Sequence, residues 1–322
     1  MPRSFRLLTV AGFVLTIAVV ATTPAAQAQA TQSNTPQAAA QSTANPLEDS
    51  QVSVQPDVAY GAPGGHPLLL DIYQPAEHFS NQHSSNLWPA VILIHGGGWT
   101  SFDKSTMRRM GMFLAKTGFV AFSVDYRLLH GTENLWPAQL DDVQRAVRWV
   151  RTNSAKYKVD PDHIGAFGHS SGAQLAALLG MEETRDNSDP ALAKYSSRVQ
   201  AVVDVSGPTD FTANHDAEDN GFLSALFGGD YAGHAKVWQD ASPAFHVSKD
   251  NSPFLIVHGT KDEEVPIAQS QELADKLKQA GVPVTFITVD DVHTFRTPEA
   301  RERLAYEAMT FFTQYLEPSG AK

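Results

Sequence analysis

The sequence predicts an α/β fold built on one doubly wound, mostly parallel sheet. Three observations carry that expectation. Short apolar, β-branched runs recur along the chain and end near glycine, and stretches with helical spacing lie between them. The run Ala90-Val91-Ile92-Leu93-Ile94 is apolar without alternation, as a strand covered on both faces requires.

Residues 67–73 (PLLLDIY) read as an early antiparallel strand and 90–94 as the first buried one. Further strands are expected at 119–126 (FVAFSVDY), 163–167 (HIGAF), 199–205 (VQAVVDV), 254–257 and 284–289. Leu140, Val143, Val147 and Val150 are spaced by three, four and three, so one apolar stripe runs along a helix. Arg145, Arg148 and Arg151 fall mostly off that stripe and are expected on a solvated face. A helix begins near Ala173, and Leu273, Leu277 and Ala280 mark another, stopped by Gly281 and Pro283. Residues 209–247 are polar, with aromatics and glycines, and too long for a simple turn. Phe211, Phe222, Phe227, Tyr231 and Trp238 within them either line an aromatic or sugar-binding surface or pack the insertion onto the domain; packing is the expectation for most.

Composition narrows the function classes. The 322 residues carry 24 Lys+Arg against 35 Asp+Glu, a net charge of −11, which argues against a nucleic-acid partner. With no cysteine, disulfides, thiolate metal sites and a cysteine nucleophile are excluded. At 42% hydrophobic residues, a sizeable core is available in their place. Arg3 and Arg6 precede an apolar run at 7–20 and a small-residue exit, Ala26-Gln27-Ala28-Gln29-Ala30. That pattern reads as a signal peptide over 1–30, cleaved after Ala28 or Ala30, since the run is too short to span a bilayer. A secreted or periplasmic chain is expected, with no membrane contact after cleavage. Residues 31–50 read as a disordered linker and 51–322 as one folded domain, the one that carries the motifs below.

Three motifs point to acyl chemistry. Gly168-His169-Ser170-Ser171-Gly172 joins an expected strand to an expected helix, the context in which G-x-S-x-G exposes a nucleophilic serine. His95-Gly96-Gly97-Gly98-Trp99 follows the 90–94 strand, where glycine N–H groups meet an incoming carbonyl unobstructed. Near the C-terminus, Asp262 and His293 each lie just beyond a strand. A serine hydroxyl needs an imidazole base, and the imidazole needs a carboxylate to hold its tautomer. Ser170, Asp262 and His293 occur in the order nucleophile, acid, base; Glu263 and Glu264 stand as alternative acids, and His258 reads as structural. The remaining histidines lack metal-ligand spacing such as H-E-x-x-H, so no metal is expected, and this chemistry needs no cofactor.

HGGGW, SVDYRL (123–128), WPAQLDDVQRAVRWVRTN, GHSSG, DVSGPTDF and HGTKDEEVP together resemble the α/β-hydrolase superfamily. More narrowly, the chain is similar to secreted bacterial esterases related to acetyl xylan and feruloyl esterases, near the hormone-sensitive-lipase-like carboxylesterases. The resemblance spans roughly residues 52–317. It implies the α/β-hydrolase fold, an eight-stranded, mostly parallel sheet flanked by helices. It implies Ser170 as nucleophile, Asp262 as acid and His293 as base, with Gly97, Gly98 and Ser171 forming the oxyanion hole. Trp99 is expected to bind substrate in an acyl pocket or to pack. Two departures stand out: Ser171 where the family commonly has Ala, and DVHTF where a Gly-rich form is frequent. The expected partner is a small-molecule or polysaccharide-linked carboxylic ester. An arylformamidase or small-peptide hydrolase would use the same residues, and a catalytically silent binding protein would keep only the scaffold.

Overall fold

The computed structural model describes residues 51–76, 87–213 and 221–317. The expected leader and linker lie outside the described residues. Eight strands form one sheet: β1 (Val52–Gly61), β2 (Leu68–Pro75), β3 (Trp88–Ile94), β4 (Val120–Val124), β5 (Val159–His169), β6 (Ala201–Val205), β7 (Phe254–Gly259) and β8 (Val284–Val289). Their spatial order is β1-β2-β4-β3-β5-β6-β7-β8. β1 and β2 pair antiparallel, as do β2 and β4; every later pair is parallel. This is the sheet the resemblance implies.

Eight α-helices accompany the strands: α1 (Arg108–Lys116), α2 (Ala138–Thr152), α3 (Ser154–Tyr157), α4 (Ser171–Leu179), α5 (Gly221–Leu226), α6 (Tyr231–Asp240), α7 (Ile267–Gln279) and α8 (Pro298–Leu316) among the described residues. Alternate residues of each strand face opposite layers. Ala90, Ile92 and Ile94 of β3 join a core with α2, α4 and α7, while Val91 and Leu93 join a second core with α1 and α8. The continuous apolar run is therefore the mark of a strand sandwiched between two helix layers. Among the described residues no helix is long and apolar enough to cross a membrane.

Seven expected strand segments correspond to β2–β8. β1 had no counterpart, because Pro56 and Asp57 interrupt it: pairing with β2 shifts register between Gln55 and Val58, and Asp57 has φ 55°. A proline and a bulge are tolerable there because β1 is an edge strand. Helix α8 also lacked an expected counterpart, although Ala300, Leu304, Ala308 and Phe312 recur every fourth residue and are buried. Its start is a Thr-Pro signal, with the Thr297 hydroxyl accepting the Ala300 N–H at 3.3 Å.

The arginine row of α2 departs from expectation. Arg148 and Arg151 are buried, at 3% and 7% exposure. Arg148 donates to the carbonyls of Leu192 (2.9 Å) and Asp186 (2.7 Å). Arg151 donates to those of Pro161 (3.0 Å), Ser196 (2.5 Å) and Arg198 (2.8 Å). Four of these carbonyls, all but that of Pro161 in β5, belong to the segment after α4, which has no ladder for them, so guanidinium forks supply the missing donors. Arg151→Met should strand three acceptors and lower stability by about 3 kcal/mol, read as a drop in the denaturant midpoint.

The 209–247 insertion largely packs, as expected. Trp238, Phe227 and Phe211 are buried, and Phe227 meets Phe211 and Trp238 at ring-centroid distances of 5.2 and 5.0 Å. Phe222 stays 40% exposed.

Candidate active site

Parallel strands deliver their C-terminal ends to one edge of the sheet, and the expected site residues gather there. At the end of β5 the chain turns sharply into α4, with Ser170 between them at φ 55°, ψ −123°. A serine held in that region costs on the order of 1–3 kcal/mol and persists only where its surroundings impose it. Here the imposition is visible: the Ser170 N–H donates to the Val205 carbonyl of β6 at 2.8 Å. Gly172 lets α4 press on the end of β3, since a Cβ there would stand 2.3 Å from the carbonyl oxygens of His95 and Ile94. Both obstacles are backbone, so Gly172→Ala should cost about 3 kcal/mol and displace the turn; a thermal melt beside an activity assay reads both effects.

The loop after β3 brings Gly97 and Gly98 to the same edge. Gly97 has φ 109° and its missing Cβ would lie 2.2 Å from the Ser101 carbonyl oxygen, so only glycine fits. The Gly97 carbonyl accepts the N–H groups of Thr100 and Ser101, both at 3.1 Å, which curls the loop tightly. Among the described residues, the N–H groups of Gly97, Gly98 and Ser171 find no hydrogen-bond acceptor. The Ser171 side chain is buried beside the Tyr126 hydroxyl, which itself donates to the His95 carbonyl at 3.0 Å. Trp99 is 4% exposed, donates from Nε1 to Gln174 Oε1 (3.1 Å) and packs against Phe211. It supports the loop from behind and does not line the cavity.

Asp262 follows β7 and His293 follows β8. His293 Nδ1 donates to Asp262 Oδ2 at 2.6 Å, with both side chains buried. The other carboxylate oxygen of Asp262 accepts the N–H groups of Glu264 and Val265, both at 2.9 Å. Burial alone would raise this carboxyl, but the His293 ring N–H and the two backbone donors outweigh it and hold its pKa below the ordinary value. Glu264 is exposed, and its nearest oxygen is 3.8 Å from His293 Nε2, beyond hydrogen-bond reach. Of the three candidate acids, Asp262 is the one bonded to the imidazole.

A cavity of about 1000 Å³ opens over this edge, lined by Gly97, Gly98, His169, Ser170 and His293 and walled by α1 and α8. Among the described residues no cluster of three or more His, Asp or Glu is arranged to hold a metal ion.

Three side chains that the motif reading passed over or left as structural support the site. His258 Nε2 lies 2.9 Å from the Val265 carbonyl and 3.1 Å from Asp262 Oδ2, while its Nδ1 meets the Ser270 hydroxyl at 2.7 Å. Asp291 staples the base loop, accepting from the Val292 N–H (2.8 Å), the Thr297 N–H (2.8 Å) and the Thr297 hydroxyl (2.7 Å). His169 Nε2 donates to the His293 carbonyl at 2.9 Å. The sequence holds their only signals, a histidine ending β7, an acid two residues before His293, and a histidine before the elbow serine. None shows its partner until the sheet assembles.

The sequence profile of the BD-FAE family matches residues 70–277. The chain belongs to that family. Among similar proteins of Mycobacterium tuberculosis, the probable carboxylic ester hydrolase LipM is 33% identical over 69% of this BD-FAE chain and 51% of its own length. Esterase LipQ is 31% identical over 80% of this chain and 61% of its own. The chain thus spans about half to three-fifths of the curated relatives it matches. Among solved structures, a truncated form of a carbohydrate esterase from gut microbiota superposes with a TM-score of 0.70 at 31% identity, covering 83% of this chain and 97% of that one. The propionate-bound esterase Est2 of Thermogutta terrifontis gives 0.68 at 25% identity, covering 84% and 97%. The sheet and its flanking helices are those of α/β-hydrolase esterases.

Proposed function

We propose that this protein is an exported serine esterase that cleaves carboxylic esters through an acyl-enzyme. The observation that carries the reading is the buried His293–Asp262 pair, bonded at 2.6 Å and opening on the same cavity as the strained Ser170. In that reading His293 Nε2 takes the proton as Ser170 Oγ attacks the ester carbonyl. The oxyanion of the tetrahedral intermediate accepts the unengaged N–H groups of Gly97, Gly98 and Ser171, and the N-terminus of α4 favours its negative charge. Collapse expels the alcohol, which receives the proton from His293. Water then repeats the cycle on the acyl-Ser170 ester, releasing the acid and restoring the serine.

The substrate class we propose is a short-acyl or feruloyl ester, including acetyl or feruloyl groups on plant polysaccharide. Support comes from the likeness to a gut carbohydrate esterase and from the leader-like N-terminus, which suits a periplasmic or external substrate. Hydrolysis of p-nitrophenyl acetate, then of acetylated xylan and methyl ferulate, tests the reading. Activity on an aryl formamide without activity on any ester would transfer it to an arylformamidase, and silence toward all of them would leave a binding protein.

A further inference from the structure

The two halves of the proposed nucleophile–base pair arrive from different parts of the parallel array, the serine from its middle and the base from its edge. Ser170 follows β5, and His293 follows β8, three strands away in the sheet. Three inter-strand spacings amount to roughly 14 Å, so the base loop must reach back across β6 and β7 to serve the serine. Asp262 grips the ring of His293 at Nδ1, and Asp291 staples its loop internally. Neither contact measures the loop against the nucleophile elbow.

We infer that His169 is the positioning residue that sets this distance, tying the base loop to the elbow through the backbone of His293. Its Nε2–H donates to the His293 carbonyl at 2.9 Å, a bond between residues 124 apart in sequence. A carbonyl only accepts, so the proton sits on Nε2 and Nδ1 is bare. The two imidazoles also lie against each other, centroids 5.0 Å apart at 49°. His169 is the last residue of β5 and pairs with Val205, so its backbone is part of the sheet rather than of a mobile loop. Glycine at residue 96 keeps the ring uncrowded: a Cβ there would stand 3.0 Å from His169 Nδ1, closer than ordinary contact. Burial pushes the His169 pKa down to about 4, so the ring remains a neutral donor through the neutral range and adds no charge beside the base. The histidine immediately before the nucleophile thus acts on the serine through the far end of the site.

The inference rests on the triad reading, and the test separates the two. His169→Leu keeps bulk and loses the donor; His169→Gln keeps an amide N–H at similar reach. For wild type and both variants, kcat and KM on p-nitrophenyl acetate are measured beside the rate at which a fluorophosphonate labels Ser170. The Leu variant is expected to lose about 10- to 100-fold in kcat and in labelling rate, since an ångström-scale misplacement of a catalytic group has effects of that order. KM should move by less than threefold, and Gln should restore most of the loss. Equal labelling and kcat in Leu and wild type, or equal losses in Gln and Leu, would overturn the inference while leaving the triad standing. Wild-type protein that neither hydrolyses any ester nor takes the label would bring down the triad reading, and the inference with it. If the Leu variant does not fold, His169→Phe, which keeps a planar ring without the N–H, takes its place.

Discussion

Ser170→Ala is expected to cut ester hydrolysis by roughly 10⁶-fold, to a level set by binding and the oxyanion donors alone. The side chain lost is one oxygen atom, and no fold contact depends on it. The turn is imposed by the Ser170 N–H to Val205 bond and by the close approach of α4 to β3, which alanine preserves. The thermal midpoint should therefore stay within a few degrees, and circular dichroism should be unchanged. Rates on p-nitrophenyl acetate for the two proteins, with a fluorophosphonate label read by mass, decide the matter. An alanine variant that hydrolyses as fast as wild type would end the nucleophile assignment.

Asp262→Asn should cost about 10⁴-fold in kcat at neutral pH. An asparagine turned to offer its N–H to Nδ1 would drive the imidazole proton to Nε2, where a general base must be bare. Asparagine also carries no charge to stabilise the imidazolium. The same substitution removes a carboxylate held ionised by the His293 ring N–H and the Glu264 and Val265 amides. A carboxyl with a depressed folded pKa stabilises the fold above its unfolded value, near 4, and that contribution is lost as pH falls through the folded pKa. The wild type and the variant should therefore converge in stability on acidification. Glu263→Gln, which alters an exposed side chain, should leave kcat within threefold. Near-normal turnover in Asp262→Asn would instead hand the acid role to Glu263 or Glu264.

The contrast between Asp262 and its neighbours shows where sequence reasoning stops. Asp262, Glu263 and Glu264 are consecutive acids after one strand; the strand-end position favours Asp262, but spacing alone leaves the other two as alternatives. The fold separates them by accessibility: the Asp262 side chain is fully buried against His293, while Glu264 faces solvent. The α2 arginines teach a similar lesson. Their spacing off the apolar stripe suited a solvated face, but a long segment without secondary structure folded over them and took their donors. Strand β1 was hidden because Pro56 breaks the pattern that an interior strand must keep and an edge strand need not.

By itself the sequence determined the sheet's buried strands, the glycine-flanked serine turn, the glycine loop and the order of the three proposed catalytic residues. These are local properties: a strand buried on both faces must be continuously apolar, and a tight turn must be built from small residues. The tertiary structure alone decided that the alternative acid Glu264 stays out of reach of the base, that Trp99 buttresses rather than lines the cavity, and that His169 and His258 hold the base loop and the acid. Each of those is a contact between residues brought together by strand order, and strand order is set by how the whole chain buries its two cores rather than by any segment of it.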